Sequence, residues 1–150
     1  MTSRVDEPNL GLLLFIPYRA MESAVLDELR RHGHDMSVSQ ARVFQRIGAK
    51  GSRMNDLAGA AQVSKQTLTS IVDQLEQRGW VRRAPDPADA RARVVTITDG
   101  GRALIELGRP VVEEMERSWE RRLGPHRTAE LRRALTDLRE ITDPYLAETD

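Results

Sequence analysis

Residues 56–83 read DLAGAAQVSKQTLTSIVDQLEQRGWVRR, and the spacing within this stretch decides the fold. Leu68, Ile71, Val72 and Leu75 recur at i, i+3, i+4 and i+7, the stripe of a helix that buries one face. Ser64 stands where an N-cap is wanted and Gly79 where a left-handed residue ends a helix. A helix over Lys65 to Arg78 is therefore predicted. Upstream, Leu57, Ala58 and Ala61 form the buried face of a shorter helix from Met54 to Ala61, with Asn55 or Asp56 near its start. Gln62-Val63 joins the two in a tight turn. Two helices so joined, the second with a polar outer face, make a helix-turn-helix.

Downstream of Gly79 the period changes from helical to extended. Trp80-Val81 and Arg93 to Thr98 are rich in aromatic or β-branched residues, and Ala84 to Asp89 between them is turn-forming. This reads as a two-stranded hairpin with a long tip. Upstream, a long helix spans Asn9 to Arg31, where Pro17 predicts a kink. A second helix follows Ser39 as N-cap, with Val43, Phe44 and Ile47 turned inward, and Lys50-Gly51 closes it. After the hairpin, Asp99 to Leu123 carries a stripe of Leu104, Leu107, Val111, Met115 and Trp119. Gly124-Pro125 breaks this helix, and a last one runs from Thr128 to about Tyr145. Pro110 lies inside the fifth helix and puts its straightness in question.

The expected fold is thus mainly α: a winged helix-turn-helix with a two-stranded β-hairpin wing and a flanking helical dimerisation region. The expected division is an N-terminal dimerisation helix over 1–38, a DNA-binding module over 39–98 and C-terminal dimerisation helices over 99–150. The terminal helices carry apolar stripes that a small winged helix cannot cover, which predicts a partner surface and a two-fold dimer.

Composition narrows the function. The chain has 150 residues, 39% of them hydrophobic, and no cysteine. Disulfides, thiolate metal sites and thiol-based oxidant sensing are excluded. No basic, apolar and small-residue succession marks a signal peptide, and Leu12 to Pro17 is too short to span a bilayer. A cytoplasmic protein with no membrane partner is expected. Net charge is zero, but ten Lys/Arg against five Asp/Glu lie between Gln40 and Thr98, and the remainder carries the opposite excess.

A helical wheel over Lys65 to Arg78 puts Gln66, Ser70 and Asp73 opposite the buried stripe, with Thr67 and Thr69 on the flanks. Glutamine, serine and threonine both donate and accept, the chemistry that reads base edges in a major groove. Lys65 at the N-terminal end suits a phosphate. On an isolated helix such residues are more often just a solvated face, and it is the surrounding order of elements that favours the reading role. Arg82 and Arg83 lead into the hairpin, and Arg91 and Arg93 lead out of it. Arginine at a wing tip can enter a minor groove, where negative potential is focused. Asp86 and Asp89 oppose this unless they hold arginines in place; Asp89 is expected to aim Arg91 through an ion pair or a turn hydrogen bond.

Asp56-Leu57-Ala58, Val63 to Thr69, Leu75 to Arg83, Asp89-Ala90-Arg91, Val94 to Thr98 and Gly101, in this order and spacing, resemble the core of the MarR family of bacterial regulators. The flanking helices match that family's layout, so the resemblance covers the whole chain. It departs at Ile97, where leucine is commoner, and at Gly100, which doubles Gly101. The resemblance implies an obligate homodimer on double-stranded DNA, with the recognition helix in successive major grooves and the wing in the flanking minor groove. Ser64, Lys65, Gln66, Thr67, Thr69 and Ser70 would be the helix contacts. Arg91 and Arg93 would be the wing contacts, with Asp89 as support of Arg91. It also implies a small aromatic or anionic effector bound between the dimerisation and DNA-binding parts, with Phe15, Tyr18, Arg19, His34 and Arg42 as candidate lining.

Two rivals remain. An enzyme or metal site would draw on His32, His34 and His126, yet the i, i+4 spacing of helical ligand pairs is missing, as are any phosphate loop, nucleophile elbow or paired-acid motif. No metal, cofactor or catalytic residue is expected. A winged helix used for protein–protein contact suits the neutral net charge but not the polar recognition face.

Overall fold

In the computed structural model, residues 7–146 are described; residues 1–6 and 147–150, the outer ends of the two predicted dimerisation segments, lie outside them. Asn9 caps the first helix, α1 (Leu10–Arg31), by accepting the Leu12 N–H. The helix continues past Pro17. The second helix, α2 (Val38–Phe44), starts earlier than expected. Its N-cap is Ser37, not Ser39, because Ser37 and Gln40 satisfy each other's backbone N–H in a capping box. A two-residue strand, β1 (Ser52–Arg53), then leads into α3 (Met54–Ala61).

The turn after α3 is made by Gln62 in a left-handed conformation (φ 56°), with the Val63 N–H donating to the Ala58 carbonyl. Ser64 caps α4 (Lys65–Gln77) by accepting the Thr67 N–H. Gly79 (φ 76°) supplies the left-handed residue after α4. Strands β2 (Val81–Asp86) and β3 (Asp89–Ile97) pair antiparallel, and β1 joins the outer edge of β3, giving the order β1-β3-β2. The wing therefore has a third, short strand, and its tip is only Pro87-Ala88. Ala84, Pro85 and Asp86, expected in the tip, belong to β2. Proline fits there because β2 is an edge strand and need not donate its N–H.

Thr98 caps α5 (Asp99–Leu123), which continues through Pro110. Gly124 breaks the chain, and α6 (Pro125–Thr142) begins three residues earlier than Thr128 and ends at Thr142. Pro125 sits in the first turn, where its fixed φ suits the helix and its missing N–H costs nothing.

The core lies inside the winged module. Leu57, Leu68, Leu75, Val43, Val72, Val81 and Val95 are fully buried there. Leu29 of α1 and Leu104 of α5 join it from outside the module. No residue of α6 is buried. Leu12 to Ile16 on α1 and Leu131, Leu135, Leu138 and Ile141 on α6 are exposed. No helix among the described residues is long and apolar enough to cross a membrane.

Candidate nucleic-acid interface

All six helix residues singled out in the sequence are exposed: Ser64, Lys65, Gln66, Thr67, Thr69 and Ser70. They divide into two sets. Three hydroxyls are engaged within the helix: Ser64 Oγ donates to Thr67 Oγ1 (2.9 Å), and Thr69 Oγ1 donates to the Lys65 carbonyl (2.9 Å). Lys65, Gln66 and Ser70 make no side-chain hydrogen bond or ion pair within the described residues, so their polar atoms are available. The buried stripe of Leu68, Ile71, Val72 and Leu75 turns this face outward.

Asp73, the acid on the same outer face, is paired with Arg83 of β2. The Arg83 guanidinium also meets Glu76 Oε1 at 3.2 Å, and its backbone N–H donates to Glu76 Oε2 at 2.8 Å. Both contacts hold the Glu76 carboxyl below its usual range, the backbone N–H first and the guanidinium second. Arg83 therefore clamps the wing to α4 and cancels the acids beneath it.

On the wing, Arg82, Arg91 and Arg93 are exposed, and none takes part in an ion pair within the described residues. Arg78, just after α4, stacks over Trp80 at 5.5 Å. Asp89 Oδ1 accepts the Arg91 backbone N–H at 3.0 Å, so of the two supports expected for Arg91 the turn hydrogen bond is the one present. Asp86 holds Arg53 of β1 and accepts the Ala88 N–H at 2.9 Å. The Ala88 N–H, and then Arg53, keep the Asp86 carboxyl below the ordinary carboxylate range. The acids in this region are thus committed to Arg53, Arg83 and the turns. The cations left over lie along α4 and the wing.

Behind this surface, a cavity of about 410 Å³ opens between α1, α2 and α5. Its walls are apolar, among them Val25, Leu26, Leu29, Phe44, Leu104 and Val112. Of the five residues expected to line such a crevice, Tyr18 does so. Arg19 and Arg42 gather at its edge on Glu22, whose carboxylate also accepts the Tyr18 hydroxyl at 2.8 Å. Phe15 is exposed on α1. His34 packs edge-on to Trp80, ring centroids 6.4 Å apart, because the turn after Gly33 points it to the winged module. Burial pushes the Glu22 carboxyl up, but Arg42, Tyr18 and Arg19 outweigh this and hold it below the usual range. Burial likewise raises the Tyr18 hydroxyl. Glu22 escaped the sequence reading, although its i, i+4 spacing from Tyr18 was a signal for the pair.

The fold and the exposed polar face define a winged helix-turn-helix protein. The MarR family model matches residues 34–92. The HTH-type transcriptional regulator PecS of Dickeya dadantii is 36% identical over 95 residues, 63% of this chain and 47% of PecS. The transcriptional regulator HosA of Escherichia coli O111:H- is 33% identical over 91 residues, 60% of this chain and 67% of HosA. The crystal structure of apo MarR from E. coli superposes with a TM-score of 0.67 at 25% identity, covering 89% of this chain and 98% of that one. The chain belongs to the MarR family. It spans about half the length of PecS.

Proposed function

We propose that this protein is a sequence-specific transcriptional regulator that binds a pseudo-palindromic operator as a homodimer and acts as a repressor by occluding the DNA it covers. The observation that carries this reading is the separation of charges just described. Among the described residues, Asp73, Glu76, Asp86 and Asp89 are each held by an arginine or a backbone N–H, while Lys65, Gln66, Ser70, Arg82, Arg91 and Arg93 are exposed and make no side-chain hydrogen bond or ion pair. A solvated face of no purpose has no reason to sort its ion pairs in this way. The exposed stripes of α1 and α6 support the dimer. Two modules related by a two-fold axis would meet half-sites about 34 Å apart.

Regulation by a small aromatic or anionic molecule fits the apolar cavity, whose lining includes Glu22 and Arg109 and whose edge carries Arg19 and Arg42. A ligand that prefers a dimer with misplaced recognition helices would lower DNA affinity by population shift. The reading implies a cytoplasmic regulator rather than an enzyme.

Selection from genomic fragments at about 150 mM salt, where non-specific binding is weak, tests the proposal. The wild type should enrich one pseudo-palindrome. Arg91→Ala should weaken binding across sequences and lower the slope of log affinity against log salt by roughly one. Failure to enrich any sequence, at low salt as well, would point instead to a winged helix that contacts protein.

Gln66→Ala and Ser70→Ala should act differently. Each should relax preference at a defined base position, with a loss of ~1–3 kcal/mol per good contact, and leave the salt slope alone. Competition with single-base operator variants reads this out. Unchanged discrimination in both variants would show that another surface reads the bases.

A further inference from the structure

We propose that Asp86 is a positioning residue for DNA binding, which acts through Arg53 to hold the wing tip that carries Arg91. The proposal rests on the regulator reading above. Its geometry begins with the division of one carboxylate. Oδ1 accepts the Ala88 N–H at 2.9 Å and closes the two-residue tip. Oδ2 takes the Arg53 guanidinium, with Nε and a terminal nitrogen each at 2.6 Å. Arg53 lies on β1, paired with Val94, and directly precedes α3. One side chain thus ties the tip loop to the body of the helix-turn-helix.

The ladder shows why such a tie is needed. Pro85 pairs with Arg93, but Asp86 pairs with Asp89. The register slips between them, so Ala90, Arg91 and Ala92 have no partner on β2. Arg91 therefore sits on a bulge whose orientation the regular ladder does not set. What sets it is the Asp89 turn bond and the point where the bulge closes, which is Asp86. The two acids are not equivalent. Asp89 is exposed, whereas the Asp86 side chain is only 10% accessible against its arginine.

The same pair solves an electrostatic difficulty. A bare carboxylate at a wing tip repels phosphates and opposes the pull on Arg91. Neutralised by Arg53, Asp86 stiffens the tip without that cost. Arg53 in turn is committed to Asp86 and is not among the cations left for DNA.

The test uses the full chain with Asp86→Asn, Asp86→Glu and Arg53→Gln, each compared with Arg91→Ala. Amide hydrogen exchange without DNA should speed up across residues 86–93 in Asp86→Asn and Arg53→Gln, while the thermal midpoint stays near the wild-type value. On the duplex recovered by selection, Asp86→Asn should lose about tenfold in affinity and lower the salt slope toward that of Arg91→Ala, because the Arg91 contact is lost with its position. In the Arg91→Ala background the same substitution should add little, since a misplaced arginine and an absent one are equivalent. Asp86→Glu should recover part of the affinity.

Wild-type affinity in Asp86→Asn overturns the proposal, and so does a loss that adds fully to that of Arg91→Ala. A further fall in salt slope for Arg53→Gln in the Arg91→Ala background overturns it too, by making Arg53 a phosphate contact itself. A wild-type protein that retains no duplex overturns the regulator reading, and this proposal with it.

Discussion

Leu138→Asp combined with Ile141→Asp is expected to give a folded monomer that has lost specific DNA binding. Neither side chain belongs to the core; they are 45% and 80% exposed on α6, a helix with no buried residue. Carboxylates there cost the isolated chain little. In a dimer the same positions would be packed against a partner, where an unpaired charge costs several kcal/mol per ion. Once the dimer is lost, the two modules no longer share one duplex, and the avidity of about 10²–10⁴ that linkage provides disappears. Sedimentation velocity should show one species of half the wild-type mass, with an unchanged far-ultraviolet spectrum and a lower thermal midpoint, since the stabilisation supplied by the partner is lost. The salt slope on DNA should fall by about half, as half the phosphate contacts remain. A variant that stays dimeric would place the partner surface elsewhere, and the exposed residues of α1, Leu12 to Ile16, would be the next to change.

Gly101→Ala is expected to destabilise the fold by about 3 kcal/mol, at the upper end of overpacking costs. On an open helix this exchange would stabilise by roughly 1 kcal/mol. Here the sign reverses because a methyl group has no room. A Cβ at Gly101 would stand 2.2 Å from the Trp80 carbonyl oxygen and 2.7 Å from Ile97 Cγ2. The nearest obstacle is backbone, and it is anchored: the Trp80 carbonyl accepts the Thr98 N–H at 3.1 Å, while Thr98 Oγ1 caps Gly101 at 3.1 Å. The first turn of α5 would have to lift away from the start of the wing. Because α5 meets the wing at its start and packs against α6 further along, some loss of DNA affinity should accompany the loss of stability. Urea unfolding of the full chain measures the first effect. A midpoint equal to that of the wild type would show that α5 does not approach Trp80 this closely.

Gly101 illustrates where a sequence stops speaking. Its place in the family pattern was visible, and its doubling by Gly100 was noted, but nothing local says that a carbonyl lies over it. The caps divide in the same way. Ser64 and Gly79 were legible because each sits at the end of a strong apolar stripe. Ser37 was passed over for Ser39 because α2 is only seven residues long and both serines precede the same apolar run. Strand β1 was missed because two residues carry no period; it exists only through pairing with Val94 and Val95.

The candidate site shows the same boundary. The outward face of α4 follows from helical geometry, so Lys65, Gln66 and Ser70 could be named from spacing alone. Which arginines remain available could not, since Arg53, Arg82, Arg83, Arg91 and Arg93 look alike in the chain. Folding pairs Arg83 with Asp73 and Glu76, and Arg53 with Asp86, at sequence separations that no local rule spans. The crevice divides likewise: that the first, second and fifth helices would form it was legible from the layout, but which side chains line it was not, since the turn at Gly33 sends His34 to Trp80. By itself, then, the sequence determined the helices, the wing and the polar reading face, because these follow from short-range periodicity and capping. The tertiary structure alone decided the charge partners, the close approach at Gly101, the bulge that presents Arg91 and the shape of the cavity. Each of these depends on distances between segments far apart in the chain, which only the packed core sets.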